Sequence, residues 1–225
     1  MYNRISIAID GPAGAGKSTI AKMVSKDLNI LYLDTGAMYR AVALKAIRNG
    51  IDTLDAEGLS LILKSIDLKI EHIKNEQLMF LDGENVTDFI RTPEVSIGAS
   101  NVGSIPEVRI KMVELQRLIA KEKSVVMDGR DIGTYVLPNA DLKIFLTASL
   151  EERARRRYLE QVQKGNMALS YDKVLKDIEY RDKNDSERSF APLKKAEDAV
   201  LIDTTGLSID DVVKRIIDFA DDIKK

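Results

Sequence analysis

Gly11-Pro12-Ala13-Gly14-Ala15-Gly16-Lys17-Ser18 places glycine, lysine and a hydroxyl at the spacing G-x-x-x-x-G-K-[ST]. Glycines let successive backbone N–H groups turn inward around phosphate oxygens, and a helix that starts there adds partial positive charge. In such a loop Lys17 reaches the β- and γ-phosphates of a nucleoside triphosphate, and the Ser18 hydroxyl faces Mg2+. The loop does not say where the γ-phosphate goes. No Asn-Lys or Thr-Lys pair is present to read a guanine base. The apolar run ending at Asp128 continues as Gly129-Arg130-Asp131, and an arginine there points to a second anionic ligand.

Other arginines fall where loops converge. Arg40 sits in the first turns of a helix after Asp34-Thr35-Gly36, and Arg130 follows an apolar strand. In an open parallel sheet the loops at the carboxyl ends of strands line the ligand crevice. Both arginines are therefore expected to face the phosphate loop, where guanidinium suits bidentate phosphate binding. Arg153, Arg156 and Arg157 share one helix face at i, i+3, i+4 spacing. They read either as a solvated face paired with glutamates or as a lid that brings cations over the transferring phosphate. Arg181 and Arg188 flank Asp185 at the end of a helix and in the polar segment after it, which is able to close on a ligand. Thr35 has a competing reading as a helix N-cap, and His72 reads as exposed packing on a strand.

Composition narrows the chemistry. The 225 residues contain no cysteine and one histidine, so thiol nucleophiles, zinc–cysteine clusters and histidine-based triads are excluded or improbable. Net charge is −2, with 34 basic and 36 acidic residues, and such a balance sets up no positive field to collect nucleic acid or an anionic membrane. The apolar runs at 78–81 and 199–202 are far too short to span a bilayer, and residues 1–9 lack the apolar region of a signal peptide. A soluble cytoplasmic protein is expected, whose chemistry uses Lys, Arg, Asp, Ser and backbone.

The elements that must position these residues alternate. Strands are predicted over 5–10, 31–33, 125–127, 143–146 and 200–202, and helices over 18–28, 37–49, 150–164 and 208–223. Strand alternating with helix predicts βαβ units and a parallel sheet. One stretch breaks the rhythm: 68–73 and 77–81 flank a turn at 74–76, and Asp82-Gly83-Glu84-Asn85 is a second turn signal. This predicts a small antiparallel meander inserted at about 62–100, with Pro93 and Pro106 punctuating its exit.

With these pieces placed, the chain resembles the bacterial cytidylate kinases, in the longer form with an inserted monophosphate-binding subdomain. The resemblance rests on Ile9 to Thr19, on Leu33-Asp34-Thr35-Gly36-Ala37-Met38-Tyr39-Arg40, and on Ile90-Arg91-Thr92-Pro93-Glu94-Val95. It continues in Pro106-Glu107-Val108-Arg109, Asp128-Gly129-Arg130-Asp131-Ile132-Gly133-Thr134 and Ala191-Pro192-Leu193. It implies an α/β fold of the P-loop nucleoside-monophosphate-kinase type: three layers, a parallel central sheet, a small antiparallel insertion and a helical lid. The whole chain, 1–225, would form one kinase domain with the insertion at about 62–100 and the lid at about 153–171.

The implied reaction is transfer of the γ-phosphoryl of ATP to CMP or dCMP, giving ADP and CDP or dCDP in pyrimidine metabolism, with Mg2+ accompanying ATP. ATP would lie on Gly11, Pro12, Ala13, Gly14, Ala15, Gly16, Lys17, Ser18 and Thr19, with Ser18 toward the metal. Thr35, Ser100, Arg109, Asp131 and Arg188 would surround the cytosine, Arg181 and Asp185 the sugar, and Arg40 and Arg130 the acceptor phosphate. Lys17, Arg40 and Arg130 would be catalytic. Thr35 stands where many members carry serine, which keeps the hydroxyl and adds a methyl. The nucleophile is a phosphate oxygen, anionic near neutral pH, so no general base is required. The partners implied are ATP and CMP or dCMP, with no nucleic acid and no membrane, and a monomer is expected. Two other readings stay open. One is a P-loop kinase for AMP, GMP, UMP or an alcohol acceptor, with Asp131 or Asp34 as base. The other is a nucleotide-binding switch or assembly ATPase without a small acceptor.

Overall fold

A computed structural model describes residues 4–73, 76–163, 165 and 169–223. Lys74 and Asn75 of the expected hairpin turn, Lys164 at the expected helix end, and 166–168 of the expected lid lie outside the described residues, as do 1–3.

Five parallel strands form the central sheet: β1 (Ser6–Asp10), β2 (Leu31–Asp34), β6 (Val125–Gly129), β7 (Leu142–Thr147) and β8 (Val200–Asp203), in the order β2-β6-β1-β7-β8. The runs SIAID and VVMDG are almost wholly buried, as strands covered on both faces must be. Register pairs Asp10 with Gly129 and Asp34 with Asp128, so three aspartates end neighbouring strands on one rim.

Helices α1 (Lys17–Leu28) and α8 (Ile209–Ile223) cover one face, where Ile20, Val24, Val213 and Ile216 pack on Ile7, Ile9 and Ile144. On the other face Val113 of α5 (Pro106–Glu122) meets Leu33, Val125 and Met127. A second core joins α2 (Thr35–Arg48) to α3 (Ala56–Ser65) and α4 (Pro93–Val102). It also takes in a three-stranded antiparallel sheet of β3 (Leu68–Ile73), β4 (Glu76–Leu81) and β5 (Glu84–Asn85), whose Met79 and Leu81 are buried in it. After β7 come α6 (Leu150–Gln163) and α7 (Tyr171–Glu187), which pack on each other through Ala154, Val174 and Ile178. No helix among the described residues is long and apolar enough to cross a membrane.

The predicted strands and helices are found with boundaries shifted by up to two residues. The shift at α2 has a clear cause: the Asp34 carboxylate accepts from Ala37 N and caps the helix, which therefore starts at Thr35. The N-cap reading of Thr35 is thus corrected. Helices α3, α4 and α5 were not expected. Pro93 and Pro106 do not merely punctuate a loop. Each is the first residue of a helix, where its missing N–H costs nothing.

Candidate active site

The rim of strand ends opens into one large cavity of about 1060 Å3. Ala13, Gly14, Ala15, Gly16, Lys17, Ser18 and Thr19 line one part of it. Gly11 and Pro12, expected in the same loop, are not among the residues that line the cavity. At Gly11, with φ of 148°, a Cβ would collide with the carbonyl oxygen of Leu146. Gly16 adopts φ of 84° and caps α1 in the left-handed region, so the loop turns directly into the helix. Lys17 is buried, and its Nζ donates to the Pro12 carbonyl at 2.6 Å. Burial, with Arg130 beside it, pulls the Lys17 ammonium well below the usual lysine range. A triphosphate laid in the loop would stabilise the ammonium form and oppose that shift.

Ser18 Oγ donates to Asp128 Oδ2 at 2.7 Å, and Tyr32 OH donates to Asp128 Oδ1 at 2.9 Å. Burial and the neighbouring Asp34 push Asp128 up. A serine hydroxyl beside a carboxylate is a hard oxygen donor set, which suits Mg2+. Among the described residues no group of three acidic or histidine side chains could hold a metal alone.

Facing the loop is a lattice of arginines strung between aspartates. Asp34 Oδ2 accepts from Arg40 Nη2 at 2.7 Å and Arg91 Nη2 at 3.1 Å. Burial works to raise Asp34, and Arg40 and Arg91 outweigh it, leaving its carboxyl below the ordinary value. Asp185 accepts from Arg130 Nε at 2.7 Å and from Ser100 Oγ at 2.8 Å, and Arg188 lies 3.9 Å away. Burial raises Asp185, and Arg130, Arg181 and Arg188 more than offset it, so it too is lowered. Asp131 accepts from Arg109 and pairs with Arg188 at 3.4 Å. Arg109 is held further by the Gly103 carbonyl at 3.1 Å and lies 5.4 Å from the Tyr39 ring centre. Arg40 Nε, Arg109 Nε, Arg188 Nη2 and Arg181 Nε are buried with no hydrogen-bond partner among the described residues, and of these four arginines Arg181 alone forms no ion pair with the aspartates there. Burial and the facing Arg130 pull Arg181 down to about 10. Such under-compensated positive charge beside the loop is of the kind that a second anion would neutralise.

The structure therefore brings Arg40, Arg109, Arg130, Asp131, Arg181, Asp185, Arg188, Ser100 and Thr35 to the same cavity as the loop. Two details differ from expectation. Thr35 Oγ1 donates to the Asp128 carbonyl at 2.7 Å, so its hydroxyl is already engaged by backbone. Of the helix-face arginines, Arg156 and Arg157 line the cavity but Arg153 does not. The buried Arg153 guanidinium donates to the carbonyls of Ala13 at 2.8 Å and Ala148 at 3.1 Å, and to Asp182. It braces the phosphate loop from outside, and Arg155 takes the third cavity-facing place. The reading of Arg153 as a cation over the phosphate is corrected: an i, i+3, i+4 stripe is wide enough for one edge to turn under a neighbouring loop. His72 is exposed on β3, as expected, and its Nε2 in addition bonds the Tyr32 carbonyl at 2.9 Å.

Sequence reasoning missed several residues that hold the site. Asp182 Oδ1 accepts from Ala13 N at 2.8 Å and so fixes the phosphate loop. Asp10 accepts from Ile132 N at 2.8 Å and Gly133 N at 2.7 Å, which ties the end of β1 to the turn after Asp131. Arg91 shares Asp34 with Arg40. An acid next to an arginine was the available signal for Asp182, and nothing local marks Asp10.

Comparison with known proteins agrees with this geometry. A family model described as cytidylate kinase matches residues 7–222. A cytidylate kinase of Caldicellulosiruptor bescii is 55% identical over 215 residues, which cover 96% of this chain and 95% of that protein. One of Exiguobacterium sp. is 50% identical over 224 residues, the full length of both. A solved structure, an uncharacterized protein from Eubacterium ventriosum, superposes with a TM-score of 0.55 at 14% identity, covering 97% of this chain and 99% of that one. It shares the fold.

Proposed function

The chain belongs to the cytidylate kinase family, and on that premise we propose that it transfers the γ-phosphoryl of ATP to CMP or dCMP, giving ADP and CDP or dCDP. The observation that carries this reading is the arginine–aspartate lattice facing the phosphate loop, with Arg181 left under-compensated within it. A switch or ATPase without a small acceptor has no use for a second anion site of this size.

The acceptor phosphate supplies its own anionic oxygen, so the protein's work is positioning and charge neutralisation. Lys17 follows the charge that develops on the β–γ bridge. Arg40 and Arg130 draw the acceptor phosphate in line with the γ-phosphoryl, each aimed by the carboxylate it already grips, Asp34 or Asp185. Arg181 supplies further positive charge between them, and with Asp185 it stands on the sugar side. Asp131, Arg109 and Arg188, together with Thr35 and Ser100, meet the cytosine edge. Ser18 and Asp128 would hold Mg2+, which when bound neutralises phosphate charge. Arg156 and Arg157 on α6 close over the transferring group and exclude water, the competing acceptor. In this reading the insertion spans about 62–100 and the lid about 153–171 of a single domain.

Cytosine presents an amino donor and an N3 acceptor where uracil presents the reverse. A carboxylate beside guanidinia matches the first and leaves the second unpaired, a difference worth up to about 10⁴–10⁵ in kcat/KM. The test is ADP release with a panel of monophosphates. CMP and dCMP should be consumed one for one with ATP and strongly preferred to UMP. Better use of AMP or GMP, or ATP hydrolysis without consumption of any monophosphate, would remove the assignment.

A further inference from the structure

The inserted sheet does more than lie beside the acceptor pocket. Among the described residues, strand β2 is an edge of the central sheet and pairs through its backbone with β6 alone. Its outward backbone groups therefore need other partners. Two side chains of the inserted sheet provide them. Gln77 on β4 accepts from Asp34 N at 2.8 Å and donates to the Asp34 carbonyl at 3.2 Å, in the manner of one rung of a missing strand. His72 on β3 bonds the Tyr32 carbonyl at 2.9 Å. These two residues sit directly opposite each other in the β3–β4 register, so one cross-strand pair reaches the edge as a two-pronged clasp.

The clasped residues are not ordinary edge positions. The backbone that Gln77 grips belongs to Asp34, whose carboxylate starts α2 and carries Arg40 and Arg91. The backbone that His72 touches belongs to Tyr32, whose hydroxyl donates to Asp128 beside Ser18. Among the described residues, three of the four links at Asp34 that do not come from its own helix come from the insertion: both Gln77 bonds and Arg91. The fourth is the strand pairing with β6.

We infer that Gln77 and His72 are positioning residues for the acceptor side: they clasp the inserted sheet to the edge of β2 and hold the Asp34 backbone so that Arg40 is aimed at the acceptor phosphate. The inference rests on the reading of Arg40 as an acceptor-phosphate residue. It accounts for a glutamine whose two amide ends are both spent on one backbone residue at the floor of the cavity.

The experiment is a two-substrate initial-rate study of the parent, Gln77→Leu and His72→Leu, with thermal unfolding alongside. Gln77→Leu keeps the volume and removes both bonds. Its KM for CMP should rise about five- to tenfold, the worth of one to two neutral hydrogen bonds, while KM for ATP stays within about twofold, because both Gln77 bonds end on Asp34, whose carboxylate carries Arg40 and Arg91 rather than a residue of the phosphate loop. His72→Leu removes one bond and should raise KM for CMP about two- to threefold. An unchanged KM for CMP in both variants overturns the inference. So does a parallel rise in both KM values with a lowered Tm, which is what a merely structural role would give. A parent that does not turn over CMP overturns the functional reading and this inference with it. A parent that does, with variants matching it, overturns the clasp alone.

Discussion

In the reading proposed above, the donor and acceptor halves of the cavity are built from different materials. The donor half is backbone: seven contiguous residues from Ala13 to Thr19, turned by glycines and ending in the N-terminus of α1, with Lys17 as the single buried charge on it. The acceptor half is side chain: Asp34, Asp131 and Asp185 each hold two arginines, and the six aspartate–arginine pairs draw residues from 34 to 188. A backbone cradle is indifferent to what the neighbouring elements do, provided the strand–turn–helix forms. A lattice of largely buried ion pairs is not, because removing one partner leaves a buried carboxylate or guanidinium with only part of its compensation. The donor half should therefore fail through one residue and the acceptor half through many.

The largest effect is expected at the donor half. Lys17→Met should cut kcat by about 10²–10³, the usual worth of one preorganised donor aimed at developing charge, with unfolding unchanged. Near-parent kcat would show that the cradle works without its lysine and would take away the phosphate-loop assignment.

A smaller effect is expected where the halves join. Asp10 ends the donor strand and binds the N–H groups of Ile132 and Gly133 on the acceptor loop. Burial pushes its carboxyl up to about 7, against the pull of those two bonds. In the unfolded chain the group titrates near 3.9. Between those values the folded state holds a proton that the unfolded state has released, so stability falls as pH rises from about 4 to about 7. Asp10→Asn should lose that component. The decline of Tm between pH 5 and 7 should flatten by on the order of 5 °C relative to the parent. Equal slopes in the two proteins would place the titration elsewhere.

The same contrast decides what was legible in the sequence. The phosphate loop, its strand and its helix are one contiguous pattern, and a parallel sheet follows from their repetition. Arg40 and Arg130 were legible because strand ends gather at one rim. Their partners were not: that Asp34 serves Arg40 and Arg91 together, or that Arg188 stands between Asp131 and Asp185, depends on how α2, α4 and α7 pack. Helices α3, α4 and α5 escaped because the meander next to them drew the reading toward loops. The prolines that looked like breakers are N-terminal helix residues. Arg153 shows the opposite error, a surface periodicity read as function when Asp182 and the Ala13 carbonyl had claimed the side chain.

The most direct test of a backbone donor site facing a side-chain acceptor site is kcat/KM for each substrate in Arg130→Ala and Arg40→Ala. Each change strips a guanidinium from a buried carboxylate, Asp185 or Asp34. It also takes a charge-assisted partner from the acceptor phosphate. A loss of about 2–5 kcal/mol in the use of CMP is predicted, with KM for ATP left close to the parent's. A selective rise in KM for ATP in either variant would put that arginine on the donor side and contradict the division of the site.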